Sequence, residues 1–243
     1  GIGVAEPFEL WNWLDVVNAP KEEMGRWRDF DVAAAVAGIT GLPVTIKNDA
    51  TAACTAEHVF GRGREFADYA YFFIGSFIGG GVVLNDTVYA GRTGNAGAFG
   101  SIPVATETGA QQLIHHASLY LLEMRLERAG IDPALIWAPD TDWSAFGAPL
   151  EDWLDHTARH LALAAVAVSS VIDFEAVLID ANCPDPVRRL IVERTRAALR
   201  TIDTQGIGEP AIAEAAIGRN ARAIGAAALP IIERYLLAQP LFG

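Results

Sequence analysis

The segment Tyr69–Gly81 constrains the fold of this chain more than any other. It reads Tyr-Ala-Tyr-Phe-Phe-Ile-Gly-Ser-Phe-Ile-Gly-Gly-Gly and is followed by the apolar residues Val82–Leu84. An apolar run that leads through glycines into a second apolar run predicts two paired strands. Consecutive glycines can adopt positive φ and turn several backbone N–H groups toward one point, an arrangement that binds phosphate oxygens.

Two further loops flank this predicted hairpin. Upstream, the predicted strand Val44–Lys47 leads to Asn48 and Asp49 at the start of a helix. Downstream, Tyr89–Gly97 is another glycine-rich loop. Three loops of this kind, in this order, outline a ligand cleft. Strands that alternate with helices, without internal repeats, predict an α/β fold.

Taken in order, these residues resemble the ROK family, which groups sugar kinases with sugar-responsive transcriptional repressors. The matching pieces are Gly1–Ala5, Trp27–Phe30, Leu42–Val44, Asn48–Ala50, Ile74–Gly81, Gly94–Gly97 and Gly225–Ala228. The resemblance implies an actin-like ATPase (ribonuclease H-like) fold with two lobes, the first of them incomplete. It divides the chain into the remainder of the first lobe (1–66), a second lobe with the glycine-rich loops (67–224) and a C-terminal helix that packs back on the first lobe (225–243).

The start of the chain, Gly1–Ala5, reads as the inside of a strand. By resemblance, an intact family member would first have a β-hairpin with an Asp-x-Gly-Gly-Thr-type phosphate loop. A repressor member would carry a winged helix-turn-helix before that hairpin. Neither is present in this sequence, so we expect the chain to be a fragment. If the protein is a repressor, we expect its DNA contacts to come from a segment absent from this chain.

The composition indicates which classes of partner and which cell compartment suit this chain. A net charge of −12 disfavours direct binding to a nucleic-acid backbone. Only two cysteines occur, Cys54 and Cys183, and they cannot build a disulfide framework. The low cysteine content favours a protein of the reducing cytoplasm. The most apolar run, Leu161–Ile172, is too short and too rich in Ala and Ser to span a bilayer. The sequence therefore predicts a cytoplasmic protein without membrane contact.

Helical periodicity predicts most of the remaining structure. The predicted helices include Ala50–Phe60, Gln111–Ala129, Leu150–Ile172, Asp185–Ile202 and Ala221–Leu236. The segment Phe8–Val17 is predicted to be an aromatic loop or short helix near the cleft. Its residues Trp11 and Trp13, and also Trp27, suit stacking on a sugar face, although ordinary packing is the favoured interpretation for Trp27.

Asn48 and Asp49 are the strongest candidate site residues. The resemblance implies that the aspartate is the general base for a sugar hydroxyl and that the asparagine hydrogen-bonds neighbouring hydroxyls. A carboxylate at a strand-to-helix junction is exposed and oriented, which suits that role. Asp and Asn also favour helix N-caps whatever the chemistry, and the two roles are compatible. The resemblance further implies sugar contacts from Asn95 and Gln112.

A degenerate phosphate loop is predicted at Gly75, Ser76, Gly79 and Gly80. Family kinases usually have glycine at the position of Phe77, because phosphate must approach the backbone closely. A benzyl side chain obstructs that approach. A tight hairpin of glycines with no binding role explains the same residues equally well.

Further departures from the family concern the sugar, metal and nucleotide sites. The family motif has Glu and His, which contact sugar hydroxyls, at the positions of Ala98 and Ser101, and the histidine also binds a structural zinc. Ile102–Gly109 replaces the cysteine-rich zinc loop, so no zinc is expected. On the ATP side, Asp180–Pro184 replaces a Gly-Gly turn, and the aspartate would repel phosphate unless a metal screened it.

The histidines are the remaining candidate metal ligands. His156 and His160 are four residues apart on a predicted helix, a spacing that can bind one ion. No third ligand of clear geometry follows, which favours a solvated or partly buried helix face. The neighbours His115 and His116 would point in different directions, and core or surface packing is preferred to a place in the sugar pocket.

We favour a sugar-binding effector domain of a ROK-family transcriptional repressor, with little or no kinase activity and no cofactor. Sugar binding between the lobes would change their closure. A homodimer is expected because such regulators read paired half-sites. One alternative is an ATP-dependent hexose or fructose kinase that uses Asp49 with Mg-ATP. Another is a non-catalytic interaction protein on the same fold.

Overall fold

A computed structural model describes residues 1–9, 11, 20–107 and 109–235. The strands are β1 (Ile2–Glu6), β2 (Val44–Asn48), β3 (Tyr69–Ile74), β4 (Ile78–Leu84), β5 (Thr87–Tyr89), β6 (Pro103–Thr106), β7 (Gly109–Gln112), β8 (Ala176–Ala181) and β9 (Ala211–Glu214). The α-helices are α1 (Lys21–Arg28), α2 (Val32–Thr40), α3 (Asp49–Phe60), α4 (Tyr120–Arg128), α5 (Ala148–Ser169), α6 (Asp185–Leu199) and α7 (Ala221–Tyr235).

The strands form a large mixed sheet and two small ones. In the large sheet the strand order is β5-β4-β3-β8-β9. Strand β3 pairs antiparallel with β4 and parallel with β8, and β8 pairs parallel with β9. Strands β1 and β2 pair in parallel, and β6 and β7 form a separate hairpin. Sheets combined with helices in this way confirm the predicted α/β class.

Strand β3 lies at the centre of the core, and all of its residues are buried. Its side chains alternate between two apolar clusters. Phe72 and Ile74 belong to the cluster that includes residues of α5, whereas Tyr71 and Phe73 belong to the cluster that includes Cys54 of α3. A strand covered on both faces must be apolar throughout, which explains this part of the sequence.

The glycine run Gly79–Gly81 lies inside β4, and none of its residues has positive φ. A Cβ on Gly80 would lie 2.4 Å from the ring of Phe99, and a Cβ on Gly81 would lie 2.5 Å from the Cβ of Cys54. Glycine is therefore needed here because Phe99 and α3 pack closely on opposite faces of the strand. The expectation that these glycines adopt positive φ and gather N–H groups at one point is wrong.

Helix α7 packs against β1 and α3 with direct contact between backbones. A Cβ on Gly225 would lie 1.7 Å from the carbonyl oxygen of Ala52, and a Cβ on Gly3 would lie 1.7 Å from that of Ala226. These glycines allow α7 to join the small parallel sheet to α3. The predicted end of this helix at Leu236 falls outside the described residues.

One predicted helix, Gln111–Ala129, is wrong over its first half. Strand β7 ends at Gln112, a short 3-10 turn covers Leu113–His115, and α4 begins only at Tyr120. Between them, the hydroxyl of Ser118 accepts a hydrogen bond from the backbone N–H of Ile78 at 3.0 Å. Through this contact the segment between β7 and α4 holds β4 in place, and the contact overrides the local helical pattern.

Within the described ranges, no helix is both long enough and apolar enough to cross a membrane.

Candidate ligand-binding site

A cavity of about 360 Å³ opens where the start of α3, the turn between β3 and β4, and the loop 94–101 meet. Its volume falls within the range of roughly 300–1,000 Å³ that is typical of small-molecule sites. Its polar lining includes Glu9, Asn48, Asp49, Ser76, Asn95, Ser101 and Arg222. Its apolar lining includes Phe8, Phe73, Phe77 and Ile78. The three predicted loops thus meet at one concave site.

Asn48 is the N-cap of α3. Its Oδ1 accepts hydrogen bonds from the backbone N–H groups of Ala50 and Thr51, each at 3.1 Å. These bonds satisfy N–H groups that have no partner within the helix. They do not use the Nδ2 group, which can still donate to a ligand. The cap of this helix is therefore Asn48, and Asp49 is its first residue.

Asp49 is held in place at the cavity by two donors. Its Oδ1 accepts from the backbone N–H of Ala50 at 2.8 Å, and its Oδ2 accepts from Nη1 of Arg222 at 3.3 Å. Arg222 comes from the start of α7, and its guanidinium lies 5.5 Å from the ring centre of Phe73. A carboxylate has about four acceptor positions, so Asp49 retains capacity for ligand hydroxyls.

Arg222 is a charged site residue that the sequence did not predict. It lies 173 residues from Asp49, and no motif surrounds it. Only the packing of α7 on α3 brings the two side chains together.

The turn between β3 and β4 is fixed to the start of α4. The carbonyl of Gly75 accepts from the N–H of Leu119 at 3.0 Å, and that of Ser76 accepts from the N–H of Tyr120 at 3.3 Å. The ring of Phe77 lines the cavity, and its centre lies 5.5 Å from that of Tyr120. Of the predicted phosphate loop, the cavity lining includes Ser76, Gly79 and Gly80 but not Gly75.

The loop 94–101 packs directly on β4. Gly97 has a φ of +79°, and a Cβ there would lie 2.6 Å from the Cα of Gly81. Positive φ and close approach together require glycine. This contact brings Asn95, Ala98 and Ser101 into the lining of the cavity.

Gln112 lies apart from the other predicted site residues. It is exposed at the end of β7, opposite Pro103, and it does not belong to the cavity lining. The structure therefore brings Asn48, Asp49 and Asn95 together and leaves Gln112 elsewhere.

A larger cavity of about 770 Å³ adjoins the first one and shares Phe8 and Asn48 with it. Trp11 and Trp27 line this second cavity. The candidate stacking residues therefore stand beside the polar cavity instead of within it. Trp13 lies outside the described residues.

Comparison with known proteins identifies the family. Residues 1–113 match the family model of the ROK family. The solved structure of a ROK hexokinase from Thermus thermophilus aligns with a TM-score of 0.61 and 26% identity, over 84% of this chain and 72% of the hexokinase. Over residues 1–113 and in its fold, the chain matches the ROK family. Its fold is accordingly the actin-like ATPase fold of ROK proteins, as the sequence predicted.

Curated ROK-like relatives include both enzymes and a repressor. The bifunctional enzyme NanE/NanK of Brucella melitensis is 30% identical over 230 residues, which cover 91% of this chain and 40% of the enzyme. The xylose repressor of Bacillus subtilis is 31% identical over 104 residues, which cover 43% of this chain and 26% of the repressor. This ROK chain thus spans about two fifths of the length of the bifunctional enzyme.

Asp180, which the ROK resemblance places on the ATP side, faces the protein interior. It is completely buried in β8. Its Oδ2 accepts from the hydroxyl of Tyr71 at 2.9 Å and from the N–H of Gly218 at 3.1 Å, while Arg188 lies 3.6 Å from Oδ1. Burial raises the pKa of Asp180 to about 6, although the Tyr71 bond and the Arg188 charge oppose that shift. The expected repulsion of phosphate by Asp180 therefore loses its basis.

The raised pKa predicts a pH-dependent difference in stability between the wild type and Asp180→Asn. The folded protein holds this proton more tightly than the unfolded chain, so the charged form costs stability. Relative to the variant, the wild type should lose stability as the pH rises from about 4 to about 6, by at most about 1.4 kcal/mol per pH unit. Urea titrations of both proteins across this range measure the difference. A difference that stays constant with pH would contradict a buried, protonated carboxyl.

The prediction that His156 and His160 lack a third partner is wrong. The ring centre of His116 lies 5.2 Å from that of His156 and 4.1 Å from that of His160. Burial is the main cause that lowers the pKa of His116 and of His156 to about 4, and it also lowers the pKa of His160. The lining of the polar cavity includes neither His115 nor His116.

Proposed function

We propose that this chain is the sugar-binding effector domain of a ROK-family transcriptional regulator and that it has little or no kinase activity. The observation that carries the proposal is the convergence of Asn48, Asp49 and Asn95 on one cavity. Two amides and a carboxylate can donate to and accept from vicinal hydroxyl groups. The rings of Phe73 and Phe77 offer apolar surface to the C–H faces of a sugar.

Two observations support a regulator over a kinase. The glycines of β4 serve packing and pair with β3, so they do not form a loop of convergent N–H groups. Phe77 also adds a bulky ring to the cavity wall beside the turn. Removal of one preorganised group that stabilises transition-state charge typically costs roughly a hundredfold or more in rate.

The side of the fold that the resemblance assigns to ATP is a poor fit for a triphosphate. A cavity of about 470 Å³ lies there, beside Gly218–Asn220. Its charged lining consists of Asp140, Asp142, Asp185 and Arg219. Hydrogen bonds from Ser144 lower the pKa of Asp142, which keeps that carboxylate ionised. Three carboxylates against one guanidinium disfavour a bound polyanion.

A sugar kinase is the second candidate, and Asp49 is the observation that favours it. A carboxylate at the sugar cavity could act as the general base for a hydroxyl. In that case ATP and Mg²⁺ would supply the phosphoryl group and its charge compensation. Relatives that support a kinase include the beta-glucoside kinase of Listeria innocua.

We further propose that the regulator acts as a homodimer in the cytoplasm and that its DNA contacts lie outside this chain. The net charge of −12 supports the last point, because it opposes direct contact with a phosphate backbone. Sugar binding can change the state of the regulator only if the closed arrangement of the two lobes binds the sugar more tightly than the open arrangement does.

Binding and turnover measurements test this function. Calorimetric titration with glucose, mannose, fructose and xylose should show saturable binding of at least one sugar. A coupled assay with Mg-ATP should show little or no phosphorylation of the same sugars. Phosphorylation of a sugar at about one turnover per second, the low end of ordinary enzyme rates, would establish the kinase instead. If the chain shows neither sugar binding nor turnover, that result would favour a non-catalytic interaction protein.

A further inference from the structure

Three histidines from two separate segments form a compact cluster away from the polar cavity. His116 follows the short turn after β7, and His156 and His160 lie one turn apart on α5. One ring nitrogen from each lies within 4.8 Å of the others. Nδ1 of His116 is 3.0 Å from Nε2 of His156. His116 is buried and the other two are partly buried.

The hydrogen bonds around the cluster leave a lone pair on one ring nitrogen of His160 and on one of His116. Nδ1 of His160 lies 2.8 Å from the backbone carbonyl of His156, which accepts its proton and leaves Nε2 with a free lone pair. Nε2 of His116 lies 3.1 Å from Oε1 of Gln111, and donation to that oxygen leaves Nδ1 with a lone pair that faces Nε2 of His156. Histidines that bind metals typically donate their second N–H to a carbonyl or carboxylate in this way.

We propose that His116, His156 and His160 bind one divalent transition-metal ion, with Zn²⁺ as the best match, and leave a fourth coordination position open. The ligand atoms are Nδ1 of His116 and Nε2 of each of the other two. Imidazole nitrogen suits zinc, copper and nickel, whereas magnesium and calcium take oxygen ligands. This set is separate from Cys54 and Cys183, which are buried and contribute no ligand.

The distances between the ligand atoms approach those that a zinc ion requires, but one ring must turn. Zinc–nitrogen distances of about 2.0–2.1 Å place tetrahedral ligand atoms roughly 3.3 Å apart. The pair His116–His156 is already at 3.0 Å. The rings of His116 and His160 are stacked with an interplanar angle of 14°, so the His160 ring must turn before its Nε2 lone pair points at the same ion. Before both nitrogens of this pair can bind the ion, the proton that His156 shares with Nδ1 of His116 must move to Nδ1 of His156.

Nearby charges set a limit on the affinity. Arg125 and Arg159 both lower the pKa of His156, and the same charges repel a metal ion. Asp152 interacts with Arg125 and partly offsets it. We therefore expect weaker binding than in thiolate-rich zinc sites. The bound ion would tie the segment after β7 to α5.

Zinc titration of the whole chain tests this site. After dialysis against EDTA, calorimetric titration with ZnCl₂ should show saturable binding of one ion per chain, and CoCl₂ should give the visible absorption of tetrahedral cobalt. His160→Ala should remove most of the affinity. Gln111→Ala, which removes an outer hydrogen bond, should weaken binding by about 10–100-fold.

His115→Ala is the matched control, because His115 is exposed and lies outside the cluster. It should bind zinc as the wild type does. If His116→Ala does not fold, the partly exposed His160 decides the question. The proposal is overturned if the wild type binds no zinc, if His160→Ala binds it equally well, or if His115→Ala loses as much affinity as His160→Ala.

Discussion

Gly225→Ala should lower the free energy of unfolding by about 3 kcal/mol, which corresponds to a drop in melting temperature of roughly 6–12 °C for a chain of this length. The new Cβ would lie 1.7 Å from the carbonyl oxygen of Ala52. No side-chain rotation relieves this overlap, because both groups belong to the backbone framework. Helix α7 must move away from α3, and the contact between Arg222 and Asp49 moves with it.

Gly38→Ala is the matched control for this substitution. Gly38 also lies inside a helix, α2, and a Cβ there would meet nothing within 4 Å. The same change should therefore stabilise the protein by about 0.4–1 kcal/mol, because alanine favours the helix and restricts the unfolded chain. Thermal and urea unfolding of the two variants should thus shift in opposite directions. A Gly225→Ala protein that melts with or above the wild type would refute the close packing of α7 on α3.

Local patterns were sufficient to predict the fold class and part of the candidate site. The apolar runs Tyr69–Ile74 and Val82–Leu84 predicted the β3–β4 hairpin, because strands buried on both faces are apolar throughout. Strand β4 begins earlier than predicted, at Ile78. The polar pair Asn48 and Asp49 predicted a helix start at the end of β2, because the amide cap and the first helical residue are adjacent in sequence. Each of these signals lies within a few residues of the feature that it predicts.

Features that depend on distant partners could not be predicted in this way. The role of Gly79–Gly81 is set by Phe99 and Cys54, which lie well away in sequence. A glycine that admits a neighbouring side chain and a glycine that adopts positive φ look the same in a sequence. His116 likewise meets His156 only because the segment after β7 leaves the predicted helix to support β4.

Asp49→Ala should weaken hexose binding by a hundredfold or more while the protein remains folded. If the carboxylate accepts from two sugar hydroxyls, each charge-assisted bond contributes roughly 1.5–3 kcal/mol. The two together amount to about 3–6 kcal/mol, and every 1.4 kcal/mol is about tenfold in affinity. Because Asn48 caps α3, the loss of Asp49 does not remove the cap. Calorimetric titration with the bound hexose, alongside thermal melts, measures both effects.

Asp31→Ala separates a capping effect from a binding effect. Asp31 caps α2 by accepting from the N–H of Ala34 at 2.8 Å, and it does not line the polar cavity. Its loss should lower stability by about 1 kcal/mol and leave hexose affinity unchanged. Asp49→Ala should show the reverse pattern, with a large change in affinity and a small change in melting. If Asp49→Ala instead melts earlier and binds the hexose as tightly as the wild type, then the carboxylate only supports α3 and the sugar must bind elsewhere.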